Sequence, residues 1–297
     1  MADRVSVPHG IRLVRPAPGL EQFVRYYAQR DAQIGDVVVV HPVHARAAPL
    51  LEFIFGDRVV FTRSDGKPPR TSPRSVVVGM QTHRRGVLHI RGRQDSFVIL
   101  FQPAGLDLLF GLPSQEFTDQ DFDAESVFGP MIARFQEQLV DCSTLGERAS
   151  ITNRFLLQYA VAAGALDGVS TAANQILRVA GSTCIPFLAD RAGLSLRQFE
   201  RRFLQQVGMS PKLFARIARF EAALDRMARF PGSSWTAVAQ HFGYYDQMHM
   251  VHEFAGFTGE TPTNTLRRLE SIFQQQMTAI RSRCDSPTNS HNSRLIL

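Results

Sequence analysis

Apolar positions in the first half of the chain fall in short runs rich in β-branched and aromatic residues. Turn-forming stretches that contain Gly, Asp or Pro separate these runs, as expected between β-strands. Strands at this spacing are typical of a sandwich or a barrel. The predicted strands are residues 37–43, 50–56, 58–63, 75–80, 87–92 and 96–101.

The apolar period changes to that of helices after residue 104. Residues 105–112, 128–140 and 149–163 predict helices, and from residue 172 to about 275 helix follows helix. The small, Gly-containing segment 163–171 is predicted to be a linker. The sequence therefore predicts an α+β protein of two domains, followed by a disordered polar tail at 276–297. The first domain, 1–165, is β-rich with following helices, and the second, 172–271, is all-α.

An internal repeat organises the second domain. Its first copy contains Ala189 and Gly193, and fifty positions later Ala239 and Gly243 stand in the same pattern. After one inserted residue the offset becomes fifty-one. At this offset the pairs are Phe199 with Met250, Phe203 with Phe254, Gly208 with Gly259, and Pro211 with Pro262.

Each repeated residue type has a mechanical role in a helix-turn-helix unit. Gly193 and Gly243 permit the left-handed turn between two helices. Apolar residues four apart, such as Phe199 and Phe203, fall on one inward face of the second helix. Gly208 and Gly259 are expected to stop that helix. The Ser-Pro and Thr-Pro pairs that follow, ending in Pro211 and Pro262, are expected to open the next one.

The outward face of each second helix carries the candidate DNA-binding residues. Arg, Gln and His side chains reach base edges in a major groove, and Arg also binds phosphate. The alternative is that these outward faces are ordinary solvent-exposed helix surfaces that bind nothing. Asp246 is expected to cap its helix or to orient a neighbouring side chain instead, because a carboxylate repels phosphate. The candidates are Ser195, Arg197, Gln198, Arg201 and Arg202 in the first copy, Tyr245, Gln247, His249 and His252 in the second, and Lys212 near the start of the connecting helix.

The segment between the copies predicts one long helix. Residues 211–227 carry apolar side chains at helical spacing. Seventeen residues at about 1.5 Å each give a rod of roughly 25 Å. Such a rod suits two outward helices placed about one DNA turn, roughly 34 Å, apart.

These residues resemble the C-terminal DNA-binding domain of the AraC/XylS family of bacterial transcription regulators. The stretch RAGLSLRQFERRFLQQVGMSPKLF is similar to the family's first helix-turn-helix, and VAQHFGYYDQMHMVHEFAGFTGETP to its second. In the second copy His252 stands where the family commonly has arginine. Less specifically, LEFIFGD, VVVGMQTHRRG and VILFQPAGLDLLFGLPSQEFTDQ resemble an N-terminal sensor domain of some members, which implies a cupin-like β-sandwich.

The charge distribution agrees with a polyanionic partner for the second domain. The net charge of the chain is +6. Residues 172–271 hold 12 Lys or Arg against 8 Asp or Glu, whereas residues 1–171 hold 18 of each.

The three cysteines, far apart, fit neither a disulfide framework nor a zinc site and suit a reducing cytoplasm. No secretion signal or membrane-spanning run is expected.

The first domain offers no clear chemistry. Four of its histidines, at 41, 44, 83 and 89, lack the spacing of a metal site, and no enzyme signature is found. We therefore expect no metal, no cofactor and no enzymatic activity. A cupin-like enzyme or small-molecule carrier is the alternative. Interior aromatic residues are expected to fill the core rather than to line a pocket, namely Phe53, Phe55, Phe97 and Phe101.

The sequence thus predicts a cytoplasmic, sequence-specific DNA-binding transcription regulator. Double-stranded DNA is the expected partner, with RNA polymerase as a further candidate. The first domain is expected to sense an unidentified small-molecule effector or to mediate homodimerisation. Activation is the expected sign of regulation, and repression is the alternative that the sequence leaves open.

Overall fold

The computed structural model describes residues 11–163, 165–230 and 232–269. Within these ranges the chain forms eight strands and twelve helices. The strands are β1 (Arg12–Val14), β2 (Val24–Val43), β3 (Leu50–Ile54), β4 (Val60–Arg63), β5 (Arg70–Thr71), β6 (Ser75–Val78), β7 (Gly86–Phe101) and β8 (Asp121–Asp123). The helices are α1 (Gly105–Phe110), α2 (Ser114–Phe117), α3 (Ala124–Phe128), α4 (Pro130–Val140), α5 (Leu145–Ala163), α6 (Gly168–Arg178), α7 (Ile185–Arg191), α8 (Leu196–Val207), α9 (Pro211–Arg229), α10 (Trp235–His241), α11 (Gln247–Thr258) and α12 (Pro262–Leu269).

The strands form one antiparallel sheet that folds over itself. Its order is β1-β2-β7-β3-β6-β8, with β4 and β5 branching from β7. The first part of β7 pairs with β4 and the second part with β3. Register shifts around Gly35 in β2, and the left-handed φ of Gly92 in β7, lie between these parts. Such irregularities bend long strands, so β2 and β7 run through both halves of the sheet.

The two faces of the sheet have different neighbours. Phe53, Phe97 and Phe101 are fully buried on the face that packs against α1, α4 and α5. Phe55 packs at the edge of the same cluster. The prediction that these aromatic residues fill the core is therefore confirmed. Because side chains alternate along a strand, neighbours such as Leu50 and Val98 face the opposite side, where a cavity lies.

The predicted secondary structure differs from the observed one most clearly in the two long strands. The strands predicted at 87–92 and 96–101 are parts of the single strand β7, and the first part of β2 was missed. That missed stretch reads RYYAQRDAQ, which is rich in Ala, Gln and charged residues. It is a strand because residues 26–33 pair without interruption with residues 93–100 of β7, and no local pattern reports such distant pairing.

The connection between the two parts of the chain is shorter than the predicted linker 163–171. Helix α6 begins at Gly168, and its N-cap Asp167 accepts a hydrogen bond from the backbone N–H of Ser170. Val169 is buried in the core of the C-terminal helices. The fold class, a β-rich antiparallel domain followed by helices and then a helical domain, is confirmed. The predicted disordered tail, 276–297, lies outside the described residues.

Candidate nucleic-acid interface

Helices α7 and α8 form the first helix-turn-helix unit. Gly193 adopts a φ of 66° in the turn between them, a conformation that favours glycine. Phe199 and Phe203 of α8 are fully buried against the helical core. Gly208 then ends α8 with a φ of 90°. The inward face of α8 is thus fixed by packing, and its opposite face lies in solvent.

A capping box begins α8. The hydroxyl of Ser195 accepts a hydrogen bond from the Gln198 backbone N–H at 3.3 Å, and the Gln198 side-chain oxygen accepts from the Ser195 N–H at 3.1 Å. Two unpaired N–H groups of the first turn are thereby satisfied. Both residues were predicted to contact DNA. In this arrangement Gln198 keeps its amide NH₂ group as the donor for a base or phosphate.

Helices α10 and α11 repeat this arrangement. Gly243 adopts a φ of 70° between them, and Gly259 ends α11 with a φ of 72°. The Asp246 carboxylate accepts a hydrogen bond from the His249 backbone N–H at 2.7 Å. The interpretation of Asp246 as a helix cap is therefore confirmed. Met250 and Phe254 are fully buried.

The predicted DNA-contacting side chains lie on exposed faces. All ten of these residues are exposed while the N-terminal domain is in place. They are Ser195, Arg197, Gln198, Arg201 and Arg202 on the first unit, Tyr245, Gln247, His249 and His252 on the second, and Lys212 in the first turn of α9. The front portion of the chain therefore leaves both outward faces accessible to a duplex.

Helix α9 supports both units. It spans 19 residues, about 28 Å at the usual helical rise. Phe214 of α9 packs edge-on against Phe203 of α8 with ring centroids 5.6 Å apart, and Phe220 packs against Phe254 of α11 at 4.8 Å. Phe214 and Phe220 are six residues apart, so they lie about 9 Å apart along the axis and on different faces of the helix. One rigid rod therefore carries the two units.

A half-buried ion pair also joins α9 to α11. The Arg216 guanidinium donates to the Glu253 carboxylate at 2.5 Å, and the His249 ring lies 3.8 Å from the same oxygen. The Glu253 side chain is 4 % exposed. Sequence reasoning missed this pair because its members belong to different helices. Its effect is to fix how α11 is rotated against α9.

The N-terminal domain contacts both recognition helices where they end. The Thr118 hydroxyl, just after α2, donates to the Gly208 carbonyl at 2.7 Å. The Arg84 guanidinium, just before β7, donates to the Glu260 carboxylate at 3.1 Å beside Gly259. Gly208 and Gly259 are equivalent in the repeat. The N-terminal domain therefore contacts both helix-turn-helix units at the end of the second helix. No sequence pattern predicts these contacts.

A cavity of about 300 Å³ lies between the sheet and α9. Apolar side chains of the strands form most of its wall, and Phe220, Glu221 and Leu224 of α9 form another part. The Ala47 backbone N–H donates to the Glu221 carboxylate at 3.1 Å, which ties this wall to the N-terminal domain. The cavity therefore touches the helix that carries both helix-turn-helix units.

Several charged groups line the cavity. Among the described residues, Arg46 Nη2 and Arg85 Nη2 are buried without a hydrogen-bond partner. Burial, and to a lesser extent the charge of Arg63, lowers the pKa of Arg85 to about 10, so it remains protonated at neutral pH. Burial, together with the charge of Arg30, lowers the pKa of His41 to about 4, so this ring is neutral.

The lining acids have cationic neighbours. Arg30 pairs with Glu52 at 3.1 Å, and Arg85 pairs with Asp121 at 2.9 Å. Asp225 pairs with Arg229 at 3.0 Å.

The described residues contain no cluster of three or more His, Cys, Asp or Glu side chains arranged to hold a metal ion. None of the described helices is long and apolar enough to cross a membrane.

Comparisons with known families agree with the repeat. A family described as "Helix-turn-helix domain" matches residues 188–268, and a "Domain of unknown function (DUF6597)" matches residues 12–123. The C-terminal region is a helix-turn-helix domain of the AraC type, and the resemblance inferred from the sequence is confirmed. The chain therefore contains a DNA-binding domain. No match was found among curated proteins.

Solved structures of ToxT from Vibrio cholerae are loosely similar. A point variant of apo ToxT from strain SCE256 is 10 % identical, with 82 % of this chain and 97 % of that chain covered and a TM-score of 0.46. ToxT from strain O395 is 9 % identical, with 83 % and 99 % covered and a TM-score of 0.44. Wild-type ToxT with a bound unsaturated fatty acid is 10 % identical, with 83 % and 96 % covered and a TM-score of 0.43.

Proposed function

We propose that the protein is a sequence-specific transcription regulator whose helices α8 and α11 read two successive major-groove segments on one face of a duplex. One observation carries this proposal. Two recognition helices, equivalent in the repeat, present exposed polar faces while a single helix, α9, holds both. Base-reading side chains and helix N-termini then meet the DNA together. The cellular compartment that suits this function is the cytoplasm.

Selection of bound duplexes from a random pool tests the proposal. We expect a motif of two boxes with centres about 10 base pairs apart. Affinity for that motif should fall steeply as salt rises, because Arg and Lys contacts displace counterions from phosphates. Recovery of a single box, or of no preferred sequence, would contradict reading by two helices.

The cavity supports regulation by a small molecule with an apolar body and an anionic head. Its wall is mostly apolar, and two buried guanidinium nitrogens, Arg46 Nη2 and Arg85 Nη2, have no partner among the described residues. A carboxylate would supply the missing acceptor. Because α9 forms part of the wall, an occupant contacts the support of both DNA-reading units.

Calorimetric titration with straight-chain carboxylates of increasing length tests this effector class. We expect affinity to rise with chain length, and the corresponding alcohols to bind less well. Arg46→Met should weaken carboxylate binding and leave alcohol binding nearly unchanged. Equal affinities of acids and alcohols would exclude an anionic head group. Turnover of any of these compounds would instead favour the enzyme alternative.

A further inference from the structure

The repeat aligns the two DNA-reading surfaces residue by residue. The N-caps Ser195 and Asp246 are fifty-one positions apart, as are the stops Gly208 and Gly259. The same offset therefore relates every position of α8 to one of α11. Arg197 corresponds to Met248, and this pair lies on the outward face of both helices.

The two surfaces differ in chemistry at these matched positions. Helix α8 carries Arg197 and Arg201 on its outward face, whereas α11 contains neither Lys nor Arg. Met248, which is 59 % exposed, takes the place of Arg197, and the exposed His252 takes the place of Arg201. Tyr245, which is 93 % exposed, lies just before the N-cap of α11. Because of its exposure Met248 lies outside the core, whereas Met250, two residues further along α11, is fully buried.

Major-groove chemistry assigns different bases to these surfaces. Guanine offers two acceptors that suit an arginine fork, whereas thymine alone carries a methyl group in the groove. A thioether has no hydrogen-bond donor, and a tyrosine hydroxyl has a single one, so neither matches the fork of a guanidinium at the two acceptors of guanine. Both side chains pack well against a methyl group. The matched positions therefore favour guanine for α8 and thymine for α11.

The side-chain hydrogen bond of Gln247 is compatible with this assignment. The Thr236 hydroxyl of α10 donates to the Gln247 side-chain oxygen at 2.8 Å. This bond fixes the amide and leaves its NH₂ group as a donor for a major-groove acceptor, such as N7 of a purine or O4 of thymine. An A·T pair therefore provides acceptors for Gln247 beside the methyl group.

We propose that the two boxes of the operator are unlike, with α11 recognising thymine methyl groups through Met248 and Tyr245 and α8 recognising guanine through Arg197 and Arg201. This inference rests on the proposed reading of two successive segments. Met248 is the specificity-determining residue of the second unit, and Arg197 is its counterpart in the first.

Removal of single methyl groups from the DNA tests the contact directly. The full-length protein is titrated against its selected duplex and against duplexes in which one thymine of the second box is replaced by deoxyuridine. We expect about a fourfold loss of affinity at the contacted thymine, the worth of one buried methyl group. Deoxyuridine in the first box is the matched control and should change affinity much less.

Variants at the matched positions complete the test. Met248→Ala should bind the selected duplex more weakly, and replacement of thymine by deoxyuridine should no longer change its affinity. Met248→Leu should keep both the affinity for the selected duplex and the sensitivity to deoxyuridine. Met248→Arg should select guanine in the second box, and Arg197→Met should remove guanine from the first. A recovered two-box motif that is insensitive to deoxyuridine and unchanged by Met248→Arg would overturn this inference alone. Failure to recover two boxes would overturn the proposed function itself.

Discussion

Substitution of Arg201 can distinguish a contact with a base from a contact with a phosphate. It is exposed on α8, four residues from Arg197 and therefore on the same side of the helix. We predict that Arg201→Ala costs about 1–3 kcal/mol of binding free energy and relaxes base preference in the first box, as expected for a bidentate base contact. Binding assays on the selected duplex and on single-base variants measure both effects.

The control for this change is Gln205→Ala, an exposed residue near the other end of α8. It should leave affinity within about twofold, because it lies a turn beyond the cluster of arginines. If Arg201→Ala weakens every duplex equally and lowers the salt dependence, Arg201 is a phosphate contact and not a base contact.

Asp107 makes stability depend on pH at the edge of the first unit. Burial, and then the nearby charge of Asp167, raises the pKa of Asp107 to about 6. Burial acts on Asp167 too, but hydrogen bonds from Ser170 and from Gln206 of α8 outweigh it and lower the pKa of Asp167. The folded state therefore holds the Asp107 proton more tightly than the unfolded state does.

The contribution of Asp107 to the free energy of unfolding should consequently fall as pH rises from about 4 to about 6 and be constant above that range. The neutral His41 ring contributes with the opposite sign over the same range, so the Asp107 contribution is measured as a difference between variants. We predict a change of about 1 kcal/mol, after allowing for the solvent that reaches this half-buried carboxyl. Urea unfolding across that range measures it. The difference in the free energy of unfolding between the unchanged protein and Asp107→Asn should fall over this range, whereas the difference from the exposed Asp36→Asn should stay constant. A profile unchanged by Asp107→Asn would contradict the assignment.

At the scale of helices, the pair between Arg216 and Glu253 should govern how firmly α11 is attached to α9. Removal of Arg216 leaves a carboxylate that is 4 % exposed without its main cation. We predict that Arg216→Met lowers the free energy of unfolding by about 1–3 kcal/mol, a value reduced from that of a fully buried pair because Arg216 is itself 43 % exposed.

A double variant separates charge burial from packing. Arg216→Met combined with Glu253→Gln should be more stable than Arg216→Met alone, because the uncompensated charge is gone. Chemical unfolding of all three variants provides the comparison. Simple additivity of the two single changes would mean that the carboxylate and the guanidinium do not act as a pair.

Helices were easier to predict from sequence than the sheet, for physical reasons. The turns at Gly193 and Gly243, and the helix starts at Ser210 and Asp246, depend on contacts within a few residues, so a local pattern reports them. Strand β2 instead depends on its pairing with β7, more than forty residues away. Local composition therefore gave the wrong boundaries there.

The same distinction applies to the candidate site. Spacing identified the exposed polar residues of α8 and α11 but did not single out Met248, which is apolar. The offset from Arg197 was the signal that could have found it. Arg84, Thr118 and Arg46 carried no signal, since their partners lie in distant segments that only the folded chain brings together.

For the whole molecule, the contacts of Thr118 with Gly208 and of Arg84 with Glu260 should set the distance that the two recognition helices can span. Both outward faces stay exposed while these contacts are made, so the N-terminal domain positions the units without covering them. A preorganised pair binds boxes of one spacing best and loses affinity when the spacing changes.

We predict that Thr118→Val combined with Arg84→Met reduces affinity for the selected duplex and also reduces the loss caused by inserting two base pairs between its boxes. Arg58→Met, at an exposed position, is the control and should change neither value. Binding to duplexes with zero, one and two inserted base pairs measures the effect. If the double variant binds the selected duplex more tightly and remains equally sensitive to spacing, the contacts hold the units in an unfavourable arrangement, and the N-terminal domain restrains binding instead of preparing it.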